Sequence, residues 1–342
     1  MISLFEKSNK KINFNQLVGR RGRFLVIREA HKKNLDCQLL IRKRKNKSDL
    51  LYLRIKKGKK TRWLSPQRGY FNSKASCELA LLKHLTYKVL RADNLPIPKF
   101  KYLKLNKKTD FQDIDYFPLV IKPIAKAEGK DVLINIKNQK ELEEACAYLS
   151  KKYNYALAEK MIKGKEYRLL VLDKKLIAAS ERRPPKITGD GKNTITNLIK
   201  IENQSRKEDT KEFKPFFKTL KIDKEMESNI QEQGYGLNSI IPKNESIYLR
   251  RNANFTTGGE VEDITEKVHP KNKKIAVKAI KSLGLKLGGV DIITPDITKP
   301  MEKEGGKIIE INGIPGLWIH HFPHYGKPRN PAGKILDYLF KN

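Results

Sequence analysis

Cysteine is scarce and scattered: Cys37, Cys77 and Cys146 are the only three in 342 residues, far apart and without a CxxC spacing. That argues against a disulfide framework and a cysteine metal site, and leaves three reduced thiols. Long apolar runs are missing as well. No stretch of about 18 apolar residues occurs, as a membrane-crossing helix would need. The opening Met1-Ile2-Ser3-Leu4-Phe5-Glu6-Lys7 has no apolar core of signal-peptide length. A folded cytoplasmic protein with no membrane partner is therefore expected. No Ser-His-Asp or Cys-His set is visible for nucleophilic catalysis, and there is no internal repeat. Gly189-Asp190-Gly191-Lys192 is not a P-loop, because the residue five before Gly191 is Lys186 and the one after Lys192 is Asn193.

Acid is the other shortage, with 38 Asp and Glu against 72 Lys and Arg, a net charge of +34. Residues 1–70 hold 21 basic and 4 acidic residues, about half of that excess. Within them Arg42-Lys43-Arg44-Lys45-Asn46-Lys47 and Lys56-Lys57-Gly58-Lys59-Lys60 flank the strand-like Leu50-Leu51-Tyr52-Leu53-Arg54-Ile55. This reads as a small basic lobe containing β structure. Two readings stay open for it: docking of a polyanion, or a solvated lysine-rich face.

Length predicts more than one lobe. A helical stretch covers Glu78 to Val89 and Leu90 and stops before the prolines of Asn94-Leu95-Pro96-Ile97-Pro98. Phe117 to Pro123 is a short strand with Lys122 on the face of Val120, followed by a loop with Gly129 and a second strand, Val132 to Ile136. Gln139 to Lys152 is helical, and Tyr155 to Ile162 extended. Glu159 and Glu166 then stand seven residues apart around a turn. A carboxylate there suits an adenine amino group and a second one ribose hydroxyls, although exposed acids beside a turn give the same string.

The strongest chemistry lies in the last third. Gly288-Gly289-Val290-Asp291-Ile292-Ile293 reads as a buried strand, so Asp291 needs a partner such as a cation. In Lys307-Ile308-Ile309-Glu310-Ile311-Asn312, Glu310 and Asn312 project from one strand face. Three oxygen donors without sulfur suit Mg2+, which completes its shell with water and phosphate. A hydrogen-bonded polar pair on a half-buried strand is the competing reading.

From about Lys83 to Phe340, the chain resembles the ATP-grasp domain of the cyanophycin synthetases. The resemblance rests on Arg182-Arg183-Pro184-Pro185 with Gly189-Asp190-Gly191, on Leu249-Arg250-Arg251-Asn252-Ala253-Asn254 running into Thr257-Gly258-Gly259, and on Val268-His269-Pro270. Gly289-Val290-Asp291 and Glu310-Ile311-Asn312, leading to Pro315-Gly316 and His320, complete it in order and spacing. Lys83, Lys122 and the Glu159–Glu166 hinge also resemble those of D-alanine ligases and glutathione-forming ligases.

The resemblance implies an α+β ATP-grasp fold: a basic lobe over 1–70, a helical and linker segment over 71–117, a small nucleotide-covering lobe over 118–185 and a large lobe over 186–342. ATP would lie between the last two. Lys83 and Lys122 would meet its phosphates, the loop around Gly129 would close over them, Glu159 and the backbone near Ile162 would hold adenine, and Glu166 the ribose. Asp291, Glu310 and Asn312 would bind Mg2+. Arg250 and Arg251, with Thr257, Gly258, Gly259 and His320, would orient an amino-acid or peptide substrate for carboxylate–amine ligation through an acyl phosphate, with aspartate the first choice. Two departures matter. The phosphate loop reads Ala125-Lys126-Ala127-Glu128-Gly129-Lys130-Asp131, where the family is rich in glycine, which loosens ATP binding or shifts contacts to Lys126 and Lys130. His321 and His324 have no family counterpart and read as loop residues. The cyanophycin synthetases also carry a Mur-ligase-like half that has no counterpart here, so one ligation chemistry, or a separate partner ligase, is expected. The alternative is a catalytically weak ATP-fold protein that binds nucleic acid through its basic lobe; oligomeric state stays open.

Overall fold

A computed structural model describes residues 21–42, 50–66, 69–106, 109–124, 131–208, 218–253 and 257–341. Gly129 and the rest of the phosphate loop up to Lys130, Lys43 to Lys47 of the basic cluster, and Asn254 lie outside the described residues. Two compact units emerge. The first holds 1–179, 264–321 and 329–342, and the second 180–263 and 322–328.

In the first unit, α1 (Arg21–Lys32) backs an antiparallel sheet of β1 (Asp36–Arg42), β2 (Leu50–Lys57) and β3 (Lys60–Leu64). The alternation of β2 explains why: Leu53 and Ile55 are fully buried together with Leu25, Val26 and Ile27 of α1, while Arg54 and Lys56 point to the other face. The hairpin lysines Lys57, Lys59 and Lys60 are exposed. The expected single helix is two, α2 (Lys74–Leu81) and α3 (Lys83–Ala92), because Leu82 leaves helical geometry at φ −92°, ψ 88°. Lys83 thereby opens a new helix, a break that neither proline nor glycine announces.

Next come β4 (Phe100–Lys104), β5 (Leu119–Pro123), β6 (Leu133–Ile136), α4 (Gln139–Ser150) and β7 (Tyr155–Lys160). The four strands form an antiparallel sheet in the order β4-β7-β5-β6. Its core joins Leu119, Ile121, Ala156 and Ala158 to Leu142, Ala145, Cys146 and Leu149, the apolar stripe that the sequence placed on one face of α4. Full burial of each leucine contributes about 1.5–3 kcal/mol.

The chain continues through β8 (Lys165–Leu172), β9 (Lys175–Arg183), β10 (Lys186–Thr188), α5 (Ile195–Glu208), α6 (Lys224–Gln231), β11 (Ser246–Tyr248), β12 (Glu260–Asp263), α7 (Pro270–Ser282), β13 (Leu287–Thr294), β14 (Lys307–Asn312), α8 (Trp318–His321) and α9 (Pro331–Leu339). In the first unit β8 pairs with β13 and β13 with β14, and α7 packs on them through Ala276, Ala279 and Ile280. β8 thus joins β13, not the β5–β7 sheet with which it was grouped by sequence. The second unit is built from β10, β11, α5 and α6 around Ile187, Ile199, Met226, Ile230 and Leu249. There β12 also pairs with the last residues of β9.

His321, buried, and His324, half-buried, are parts of this framework. His321 Nε2 accepts from the Ala332 amide at 3.2 Å, at the start of α9, and His324 Nδ1 from the Val261 amide at 3.0 Å. Burial, aided by Arg28 and by Arg206 respectively, pushes each imidazole from 6.5 down to about 3. Below pH 6.5 the unfolded chain therefore takes up protons that the fold refuses. Stability is expected to fall between pH 6.5 and 3 by up to about 1.4 kcal/mol per pH unit for each histidine. Urea unfolding at pH 7 and pH 5 checks this, since His321→Gln should flatten the loss; an unchanged slope would refute it.

Candidate active site

Strand register in the first unit brings the expected lysines and acids together. Val120 lies opposite Glu159 and Lys122 opposite Leu157, so Lys122 and Glu159 are diagonal neighbours on one face of the β5–β7 pair. Lys122 Nζ is 2.6 Å from Glu159 Oε1, and both side chains are buried. Burial raises the Glu159 carboxyl, opposed by the charge and hydrogen bond of Lys122, by Tyr87 and by Lys83.

The carbonyl of Ile309 on β14 is the hub of the arrangement. It accepts from Tyr87 Oη at 2.7 Å and from Lys122 Nζ at 3.3 Å, and the Tyr87 ring centroid is 5.7 Å from that same ammonium. Tyr87 is fully buried and one helical turn beyond Lys83 on α3, so both reach one side of the helix. Lys83 Nζ in turn lies 3.4 Å from Glu310 Oε1, the residue after Ile309. Two ammonium groups from separate elements are thus gathered on two consecutive residues of β14.

Asp291, Glu310 and Asn312 converge as their strand positions require. Asp291 is opposite Glu310 across β13 and β14, and Asn312 Nδ2 donates to Asp291 Oδ2 at 3.3 Å. The cation that the buried Asp291 needs is supplied by the protein: Arg168, its partner across β8, donates through Nε and Nη2, each at 2.5 Å. The Asp291 and Glu310 charges raise the Arg168 guanidinium above its ordinary value against the effect of burial. The sequence reading missed Arg168, although a charge inside Tyr167-Arg168-Leu169-Leu170-Val171 signalled it as clearly as Asp291 did.

These donors fit Mg2+. They are hard oxygens on neighbouring strands, and the Glu310 side chain retains 30% exposure, enough to reach an incoming ion. Ile162 and Glu166 are half-buried, with Glu166 opposite Ile293 where β8 begins. His320 is buried in α8. Among the described residues, no group of three or more His, Cys, Asp or Glu side chains is placed to hold a metal ion.

The remaining candidates belong to the second unit. Arg250 is buried and both its terminal nitrogens are engaged: Nη1 donates to Glu225 at 2.8 Å, and Nη2 to Asp223 at 2.7 Å and the Lys221 carbonyl at 3.1 Å. Here it secures the N-terminus of α6, whose cap is Asp223. Arg251 is exposed and pairs with Glu232. Thr257 Oγ1 donates to Asn252 Oδ1 at 3.1 Å.

Comparison with known proteins places this geometry. No family model matches the chain. It is 36% identical over 267 residues to a cyanophycin synthetase of Crocosphaera subtropica, an alignment covering 77% of this chain and 30% of the relative. The glutathione biosynthesis bifunctional protein of Clostridium perfringens is 32% identical over 262 residues, covering 75% and 34%. Among solved structures, a bifunctional glutathione synthetase from Pasteurella multocida superposes with a TM-score of 0.65 at 24% identity, over 84% of this chain and 40% of that one. The chain spans about a third of the length of the curated relatives it matches. No helix among the described residues is long and apolar enough to cross a membrane. The chain is an ATP-grasp-fold protein, homologous over about three quarters of its length to a part of the cyanophycin synthetases.

Proposed function

We propose that this chain is an ADP-forming carboxylate–amine ligase that uses ATP and Mg2+ to make a peptide-type bond on an amino acid or peptide. The observation that carries the reading is the convergence on β13 and β14 of Lys83, Lys122 and Arg168 with Asp291, Glu310 and Asn312. Three cations beside three oxygen donors suit a polyphosphate with its metal. Tyr87 and Glu159 hold Lys122, so its ammonium is already in place when phosphate arrives. Lys83 exchanges Glu310 for phosphate oxygen, and Arg168 keeps Asp291 aligned.

Asp291, Glu310 and Asn312 would hold Mg2+, which when bound neutralises charge on the transferring phosphoryl group. The γ-phosphoryl passes from ATP to a substrate carboxylate oxygen, and ADP leaves. The amine nitrogen then attacks the acyl carbon, loses a proton, and phosphate departs with the amide formed. Positioning and charge account for the catalysis, in keeping with the absence of a nucleophile among these residues. Glu166 is assigned to the ribose, the Ile162 backbone to adenine, and Arg251 with Thr257, Gly258 and Gly259 to the reacting carboxylate. An acidic amino acid is the first choice of incoming amine, on the likeness of Arg250-Arg251-Asn252 and Thr257-Gly258-Gly259 to the cyanophycin synthetase strings. The exposed Lys57, Lys59 and Lys60 give an anionic acceptor a docking surface.

A screen of ADP release with each amino acid and with short acidic peptides tests the proposal. Release is expected only when a carboxylate and an amine are present together, with an amide product of matching mass. Equal release without either substrate, or none with any, would refute it.

A further inference from the structure

A buried cation in the second unit has no role in the chemistry above. Arg206, in the last turn of α5, is 3% exposed. Its Nε donates to Glu202 at 2.7 Å, its Nη1 to the carbonyls of Gly258 at 2.8 Å and Lys218 at 3.1 Å, and its Nη2 to Glu260 at 3.2 Å. Glu260 is itself buried and accepts from Tyr325 Oη at 3.3 Å. With its donors so committed, Arg206 is a tie between segments and not a group for substrate.

The segments it joins are informative. One turn earlier on α5, Asn203 exchanges two hydrogen bonds with Leu220: Nδ2 to the Leu220 carbonyl at 2.9 Å, and the Leu220 amide to Oδ1 at 2.6 Å. Leu220 packs against Gly258, where a Cβ would come within 2.5 Å of Leu220 Cδ2. Gly258 also has φ +98°, in the region that favours glycine. The turn is therefore held on one side by the Arg206 guanidinium on its carbonyl and on the other by Leu220, which Asn203 holds in turn. Nothing in the turn's own sequence would supply this rigidity.

We propose that Arg206 is the positioning residue of the Thr257-Gly258-Gly259 turn, and that it sets the affinity for the substrate carboxylate without acting on ATP. This rests on the assignment of that turn to substrate under the proposed function. A buried guanidinium on a backbone carbonyl is a fixed strut, and a turn freed of it must be ordered anew at each binding event.

Arg206→Met alone would leave the buried Glu260 without its cation, so the informative variants are Arg206→Lys and the double change Arg206→Met with Glu260→Gln. Gly258→Ala strains the same turn without touching Arg206. The double variant should raise the acceptor KM about tenfold and leave the ATP KM within about twofold, with Arg206→Lys intermediate and Gly258→Ala alike in pattern. Hydrogen exchange at the amides of residues 257–260 should quicken about tenfold in the double variant, with α6 unchanged. Unchanged exchange at the turn in a folded double variant, or equal rises in both KM values, would overturn the proposal. Exchange needs no turnover. If wild-type protein releases no ADP with any substrate pair, the ligase reading falls while the exchange result still decides whether Arg206 braces the turn.

Discussion

Glu310→Ala is expected to cut amide formation by at least about 100-fold, the upper end of what is lost when partners one shell further from a metal are removed. The Glu310 side chain is 30% exposed, whereas Asp291 is buried and held by Arg168. Glu310 is therefore freer than Asp291 to turn toward an arriving ion. Its loss also removes the partner of Lys83, but leaves Lys122, Glu159 and Tyr87 untouched. Nucleotide should consequently still bind without metal, within a few-fold of wild type, while the tightening caused by added Mg2+ disappears. Titration of a fluorescent ATP analogue with and without Mg2+ reads the two effects apart. Asp291→Asn serves as the contrast, since it leaves Arg168 buried without its anionic partner and should lower stability as well as activity. Near-normal turnover of folded Glu310→Ala protein would remove the metal assignment.

How much of this site could be read from sequence depends on the range of the interaction concerned. β14 matches its expected span, Lys307 to Asn312, because a short run rich in isoleucine reads as a strand. The α4 stripe was equally legible, being a local pattern of 3.6 residues. The break at Leu82 was not, since it lies between two helix-forming stretches with no proline or glycine to mark it. Pairings across distant strands were hidden for the same reason. Asp291 announced that it needed a cation, yet nothing local could say that Arg168, on β8, would be that cation. Arg250 shows the converse: its motif suggested chemistry, while the structure gives it Asp223, Glu225 and a backbone carbonyl. The structural roles of His321 and His324 likewise depend on amides brought up by α9 and β12.

Lys122→Met should have the largest effect on stability, and the effect should depend on pH in a direction that identifies its cause. Lys122 and Glu159 are both buried and their charged atoms are 2.6 Å apart. Removing the lysine leaves a buried carboxylate supported by a hydrogen bond from Tyr87 and by the charge of Lys83. Breaking such a pair costs about 3–5 kcal/mol at neutral pH. The variant escapes part of that cost by protonating Glu159, because burial already raises this carboxyl above its ordinary 4.5 and the loss of Lys122 raises it further. A carboxyl that binds its proton more tightly in the fold than in the unfolded chain adds stability at low pH and loses it as pH rises through the folded value. The deficit of Lys122→Met against wild type should thus be small near pH 4.5 and grow by up to about 1.4 kcal/mol per pH unit above it, until the folded value is reached. Adding Glu159→Gln should abolish that growth, since no carboxyl is left to titrate. ATP affinity should stay weak in both variants, as neither restores a cation. Urea unfolding from pH 4.5 to 8, with nucleotide binding measured at pH 7.5, separates the two consequences. A deficit independent of pH, or ATP affinity equal to wild type in Lys122→Met, would show that Lys122 neither pairs with Glu159 in solution nor meets the nucleotide.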